Sequence, residues 1–201
     1  MKPLTLILAF TPLILFSLLA RLLPHGDIGV AALVAVVAAL VAMATSRPFW
    51  PPKIINACSF VMFAVLAVLG FSLGSHDDRW LATWGGAGVG LVLGLVILVL
   101  IPYMPFTEQF AREATPQAYW GSPTFKKINR VLSIGWGVAI LALGASRVLG
   151  AALSRGTTSR LPELLFGLAV PVVVILYMLK FSKSYPDRVT HSESPVAQAR
   201  S

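Results

Sequence analysis

The sequence predicts an all-α polytopic membrane protein with about six transmembrane helices, and three observations carry that expectation. Apolar residues make up 57% of the 201 and charged residues 12%, with a mean hydropathy of +0.81; ordinary water-soluble domains carry about 25% charged residues. The charges are gathered into patches that leave six uncharged runs: Pro3 to Ala20, Ile28 to Ser46, Ile54 to Ser75, Trp80 to Thr107, Val131 to Ser146 and Leu164 to Leu179. A bilayer core takes roughly 20 apolar residues per helix, so six such runs occupy most of the chain and exclude a sizeable soluble domain. The third observation is that Lys and Arg fall unequally on the alternate sides of those runs.

The first run follows Lys2 and is long for a signal-peptide core, with no small-x-small cleavage site after it, so it is expected to remain as a span over 3–23. Spans two and three cover 28–46 and 54–75. The fourth, 84–104, carries Gly86, Gly90 and Gly94 at four-residue spacing, which places three residues without side chains on one helical stripe where another backbone can approach. The fifth, 130–152, carries Gly137, Gly144 and Ala151 every seven residues, a second small-residue stripe expected to meet the first. The fifth and sixth runs reach spanning length when Arg147 and Lys180 carry their charges to an interface on long aliphatic stems, the sixth span then covering 162–182. These spans form a membrane domain over 1–183. Residues 184–201 are polar, lack an apolar period and contain two prolines, so a disordered cytoplasmic tail is expected there.

With six spans, one side collects Lys2, Arg47, Lys53, Arg112, Lys126, Lys127, Arg130, Lys180, Lys183, Arg188 and Arg200, and the other Arg21, Arg79, Arg147, Arg155 and Arg160. That bias places both termini in the cytoplasm. Trp50 and Trp120 fall at the inner boundary and Trp80 and Trp84 at the outer one, where indole rings prefer to sit. The net charge of +8 is thereby read as topology and attraction to anionic lipid, with no nucleic-acid partner.

The cytoplasmic connection from Pro105 to Arg130 is the longest in the chain. Thr107 is expected to cap a short helix with Glu108 in its first turn, Pro116 to end it, and Ser122 with Pro123 to start a second helix that runs into the fifth span. Phe106, Phe110, Tyr119, Trp120 and Phe125 alternate with Arg112, Lys126, Lys127 and Arg130, as in an amphipathic elbow lying on an anionic leaflet. Arg112, Trp120, Lys126, Lys127 and Arg130 are therefore the candidate lipid or partner surface. Shifting the chain by 73 residues lays Lys53, Ile55, Asn56 and Phe63 on Lys126, Ile128, Asn129 and Trp136, both stretches opening a span from the cytoplasmic side. Such parallel repeats occur in transporters. Asn56 and Asn129 are costly at the start of a span unless paired, so they are candidates for interhelical hydrogen bonds.

The outer loop after the third run reads His76, Asp77, Asp78, Arg79. A histidine with two carboxylates suits a divalent cation or acid-base chemistry, but three adjacent residues do not converge easily on one ion. The preferred reading is a solvated turn that caps the next helix or pairs with Arg21 or Arg147. No metal site or cofactor is expected: Cys58 is the single cysteine, which excludes a disulfide framework or cysteine cluster, and no histidine lies within a run to ligate haem.

Several of these residues resemble the intracellular septation protein A family, small multi-spanning proteins of the bacterial inner membrane linked to envelope synthesis and division. The parallels are Phe10, Pro12, Leu13 and Phe16 in the first span, His76, Asp77 and Asp78 followed by Trp80, and Phe125 to Asn129 opening the fifth span, where the family has an aromatic, two residues, Leu and Asn. The family's Lys and Pro after the acidic pair are absent, Trp84 falls one position late, and Trp136 lies about one helical turn further from Asn129 than the family's tryptophan. Phe106 through Glu113 is also similar to an F-T-x-Q-[FY]-A-R-E segment of other bacterial membrane proteins. The resemblance implies a non-enzymatic inner-membrane protein that serves cell-envelope maintenance or septation through division or wall-synthesis partners. A small-solute or ion transporter is the alternative, supported by the repeat, the two asparagines and the glycine stripe, with an enzyme at the outer loop third. The glycine stripes are equally compatible with a homo-oligomer.

Overall fold

Every regular element of the computed structural model, which describes residues 3–23, 27–46, 53–72, 78–154 and 161–192, is helical. In chain order these are α1 (Pro3–Leu22), α2 (Ile28–Thr45), α3 (Ile54–Ser72), α4 (Asp78–Leu100), α5 (Phe106–Arg112), one 3-10 turn (Gln117–Tyr119), α6 (Pro123–Ser154), and α7 (Leu161–Leu164), which continues through a π-helical stretch (Leu165–Ala169) into α8 (Val170–Ser192). Among the described residues, four helices are long and apolar enough to cross a membrane: Ile28–Thr45, Ile54–Ser72, Pro123–Ser154 and Leu165–Thr190. Within α1 and α4 the apolar stretches Leu8–Ala20 and Trp84–Leu100 are shorter.

The boundaries follow local chemistry. α4 stops at Leu100, short of the expected 104, because Pro102 and Pro105 follow and proline has no N–H to extend the ladder. α6 starts well before its apolar run: the Phe125 N–H donates to Ser122 Oγ at 3.2 Å, satisfying one donor that the helix leaves open, and Pro123 lacks the donor that would be open anyway. At 32 residues α6 is about 48 Å long, well beyond the roughly 30 Å of a bilayer core. The expected disorder from 184 is corrected, since α8 continues through Ser192 with Pro186 inside it, and residues 193–201 lie outside the described residues. Tyr177, Phe181 and Tyr185 stack successively along one face, with centroids 6.3 and 5.2 Å apart, and Val189 is buried one turn further on. That i,i+4 series carries the helix through its polar residues.

The helices form two groups, α1 with α2 and α3, and α4 with α6 and α8. α2 buries almost nothing but Ala and Gly (Gly29, Ala31, Ala32, Ala35, Ala39, with Ile28) against Phe16, Phe63 and Leu66. α4 and α6 are antiparallel, because Gly86, Gly90 and Gly94 lie against Arg147, Gly144 and Leu141 in turn. α6 and α8 are antiparallel too, with Gly135 against Met178 and Gly150 against Phe166. Phe10 of α1 stacks on Trp136 of α6 across the two groups, and within the first group Phe16 tilts against Phe63 of α3, each pair at 5.0 Å between centroids; α3 also packs against α4. The outer faces are as apolar as the inner ones. Val41, Val68, Val99 and Val173 are each more than half exposed, and a helix that is apolar all round belongs in a larger core or in a membrane.

Candidate functional site

The polar chemistry of the fold is concentrated where α3 and α6 begin, and α5 is the element that ties the two starts together. Lys53 precedes α3 and its side chain is 6% exposed, an expensive place for a cation, made worse by the positive end of the helix dipole. Two neighbours offset that cost. The Glu113 carboxylate lies 2.6 Å from Nζ, and the Phe110 ring face is 4.4 Å from it. The Ile54 N–H, one of the donors α3 leaves open, donates to Gln109 Oε1 at 2.9 Å, so α5 caps α3 from a distance in sequence.

The opposite side of α5 grips α6. Thr107 is fully buried; its N–H donates to Ser133 Oγ at 3.2 Å and its hydroxyl donates to the Asn129 carbonyl at 2.8 Å, leaving the Ser133 hydroxyl to donate to Thr107 Oγ1 at 2.8 Å. Thr107 therefore does not cap α5. The residue before α5 is Pro105, which makes no side-chain cap bond, and Thr107 sits inside the first turn with its hydroxyl turned to α6. Glu108 is bonded to Arg112 one turn later, and the Arg112 guanidinium lies over the Trp120 ring at 4.9 Å. Trp120 Nε1 in turn donates to the Thr115 carbonyl at 2.9 Å. Phe106, Phe110 and Phe125 pack inward at 1%, 2% and 9% exposure, which corrects the expectation that they lie on a leaflet. Lys126, Lys127 and Arg130 are exposed along the start of α6.

Asn56 and Asn129 are each 1% exposed. Asn56 Nδ2 donates across to Ser46 Oγ at 3.4 Å, whereas Asn129 Nδ2 donates within its own helix to the Phe125 carbonyl at 2.8 Å. Among the described residues, Asn56 Oδ1, Ser59 Oγ and Asn129 Oδ1 are buried without a hydrogen-bond partner. Asn129 also borders an open cavity of about 420 Å³ lined in addition by Tyr119, Ser122, Pro186 and Thr190. The two glycine stripes lie against one another. A Cβ on Gly90 would fall 3.1 Å from the Gly144 Cα, and one on Gly94 would fall 3.0 Å from the Gly137 carbonyl oxygen. Of the outer cluster, His76 and Asp77 lie outside the described residues and Asp78 is the first residue of α4. Among the described residues no group of three His, Cys, Asp or Glu is gathered to hold a metal ion.

Sequence reasoning missed Lys53, Gln109 and Glu113 as a brace, and Ser133 as the receiver of Thr107. Ser133 had a signal: it stands four residues after Asn129 on the same buried face. It also missed the bond from Trp136 Nε1 to Ser182 Oγ at 2.9 Å, which joins α6 to α8. Comparison with known proteins returned no matching family model, no similar curated protein and no similar solved structure, so the septation-family resemblance rests on the residues quoted for it.

Proposed function

We propose that this chain is a six-span protein of the bacterial inner membrane that serves cell-envelope maintenance or septation by binding other membrane proteins, with no reaction of its own. The observation that carries a role played through contacts is the fate of the 106–113 segment. Thr107, Glu108, Gln109, Arg112 and Glu113 all bond to other residues of the fold, so the most distinctive stretch of the chain builds a rigid cap and offers the exposed Lys126, Lys127 and Arg130 beside it. Those three cations and Arg112 form the surface for anionic lipid or a partner at the cytoplasmic face. In this reading α1 and α4 join the other four apolar helices as spans, α5 with the following turn is the cytoplasmic elbow, and both termini are cytoplasmic by the Lys and Arg bias.

Affinity purification from native membranes tests the role, with division or wall-synthesis membrane proteins as the expected recovery. A clean preparation without partners would shift weight to small-solute or ion transport. That reading is favoured by the like placement of Asn56 and Asn129, both buried near the start of a helix, each followed seven residues later by an aromatic packed against a phenylalanine of α1. Reporter fusions after residues 120 and 200 test the layout, and a periplasmic signal at either position would undo it.

A further inference from the structure

The seam between α4 and α6 has an outer side as well as an inner one. Gly94 lies against Leu141 and Gly137, and Gly137 against Leu98 and Ile97, so in this antiparallel pair Leu95 stands level with Val138, Val99 with Ile134 and Tyr103 with Arg130, to within about a residue. On α4 Leu95, Val99 and Tyr103 follow one another at four-residue spacing, and on α6 so do Val138, Ile134, Arg130 and Lys126; every one of them is exposed. At about 100° of turn per residue both rows fall on the flank of the seam away from the buried Val89, Leu93 and Ile97. The glycines draw the two backbones together, so the rows stand as the walls of a shallow groove.

Depth along α6 divides that groove into two parts. The uncharged run begins directly after Arg130, which places Arg130 at the edge of the hydrocarbon. Lys126, four residues or about 6 Å further out, then lies within the headgroup layer, which adds roughly 5–8 Å on each side of the core. Inward, Val138 is eight residues or about 12 Å from Arg130, close to the depth of one leaflet's hydrocarbon, about 15 Å. Tyr103 is 85% exposed at the level of Arg130, and its N–H donates to the Leu100 carbonyl at 3.0 Å, so it prolongs the last turn of α4 to the interface where phenol rings prefer to sit. Among the described residues neither Lys126 nor Arg130 takes part in an ion pair. Both stand on a stretch of α6 that Thr107 holds through the Asn129 carbonyl and Ser133, so the backbone beneath them is ordered before anything binds.

Two unmatched cations at headgroup depth, above apolar walls one leaflet deep, are complementary to an anionic head on an aliphatic chain. A zwitterionic head would bring its own cation beside Lys126. From this geometry we infer that the groove seats one anionic phospholipid of the cytoplasmic leaflet, with its phosphodiester at Arg130 and Lys126 and one acyl chain along the apolar walls. The inference names the occupant of part of the cationic surface described above, and it rests on the membrane-spanning reading.

Its test is native mass spectrometry of the purified full chain after exchange into phosphatidylcholine vesicles with or without phosphatidylglycerol. The wild-type chain is expected to retain phosphatidylglycerol in preference to phosphatidylcholine. Arg130→Gln with Lys126→Gln should reduce that retention roughly thirtyfold, the change expected for two charges near an anionic surface. Lys183→Gln with Arg188→Gln removes the same charge from the exposed end of α8 and should leave retention unchanged. Val138→Trp, which fills the groove and spares both cations, should lower it, with every variant keeping the wild-type elution profile. Equal losses in the two paired variants would overturn the inference, because net charge and no particular site would then hold the lipid. Unchanged retention in the Arg130 and Lys126 pair or in Val138→Trp, equal retention of the two lipids, or displacement of the lipid by inorganic phosphate would each overturn it too. If the Arg130 and Lys126 pair loses membrane-protein partners on affinity purification and keeps its lipid, the surface belongs to an acidic protein and the inference falls. A wild-type chain that yields no partners and still selects phosphatidylglycerol would sink the proposed role and leave this inference standing. Failure of the membrane reading is distinct: the chain would be recovered outside the membrane fraction before any lipid is added, and the inference would fall with it.

Discussion

The two ends of the bundle each hold a cation among apolar helices, and they treat it differently. Lys53 is enclosed by a carboxylate and a ring face contributed by a dedicated short helix, and almost none of it is accessible. Arg147 bonds a serine hydroxyl and borders a cavity. An enclosed charge has one acceptable arrangement, so its neighbours become structural. A charge at the edge of a cavity has neighbours with room to adjust, so a change beside it costs less. Stability should therefore depend more on the Lys53 end than on the Arg147 end, and substitutions can separate the two.

The largest effect is expected in the seam that joins the ends. Gly90→Leu sets a branched side chain where the Gly144 backbone lies at contact distance, a clash that no rotamer relieves, at a cost above the roughly 3 kcal/mol of ordinary overpacking. Folded yield on size exclusion should collapse, while Leu95→Ile on the exposed face of the same helix should be silent; equal yields would mean that the seam does not hold the bundle together. Next comes Glu113→Gln, which strands the buried Lys53 ammonium and should cost about 3 kcal/mol, the low end for such a loss because Glu113 is itself 24% exposed. Adding Lys53→Met should recover most of it in thermal melts in detergent. A single variant no worse than the double one would show that the pair is not coupled.

Thr107→Val keeps the shape and removes the hydroxyl shared by the Asn129 carbonyl and Ser133. A loss of about 1–3 kcal/mol is expected, as for buried polar groups left without a partner, and an unchanged melting temperature would mean that the α5 to α6 contact is held by Phe106 and Phe110 alone. At the other end Ser17→Ala, which removes the hydroxyl bonded to Arg147, should cost about 1 kcal/mol or less. A Ser17→Ala loss as large as that of Glu113→Gln would erase the distinction between the ends.

The helices were legible because hydropathy is a local property, and so were the Ser122 cap and the glycine stripes, whose periods are printed along one segment. The brace was not. Lys53 reads in sequence as one more inside charge beside two prolines, and only the folded chain brings Glu113 to it. The polar stretch after Ser184 misled for a related reason: its composition and Pro186 suggest disorder, whereas the four-residue spacing of Tyr177, Phe181, Tyr185 and Val189 was the stronger signal. Thr107 was assigned a local partner from its residue type, and a better-placed acceptor on α6 took its hydroxyl instead.

The π-helical stretch Leu165–Ala169 sets the register of everything after it. Its widened turn turns the Phe166 carbonyl to Ser146 Oγ, which donates to it at 2.6 Å. A π turn accommodates one residue more than the α-helical path around it, so the stretch is equivalent to a one-residue insertion that the neighbouring serine tolerates. Deleting one residue there and restoring a plain α-helix would rotate all of α8 by about 100°, carrying Ser182 away from Trp136 and the apolar wall of the cavity away from α1. In this chain the length of a five-residue segment, more than the identity of its side chains, decides which face of the last helix looks inward.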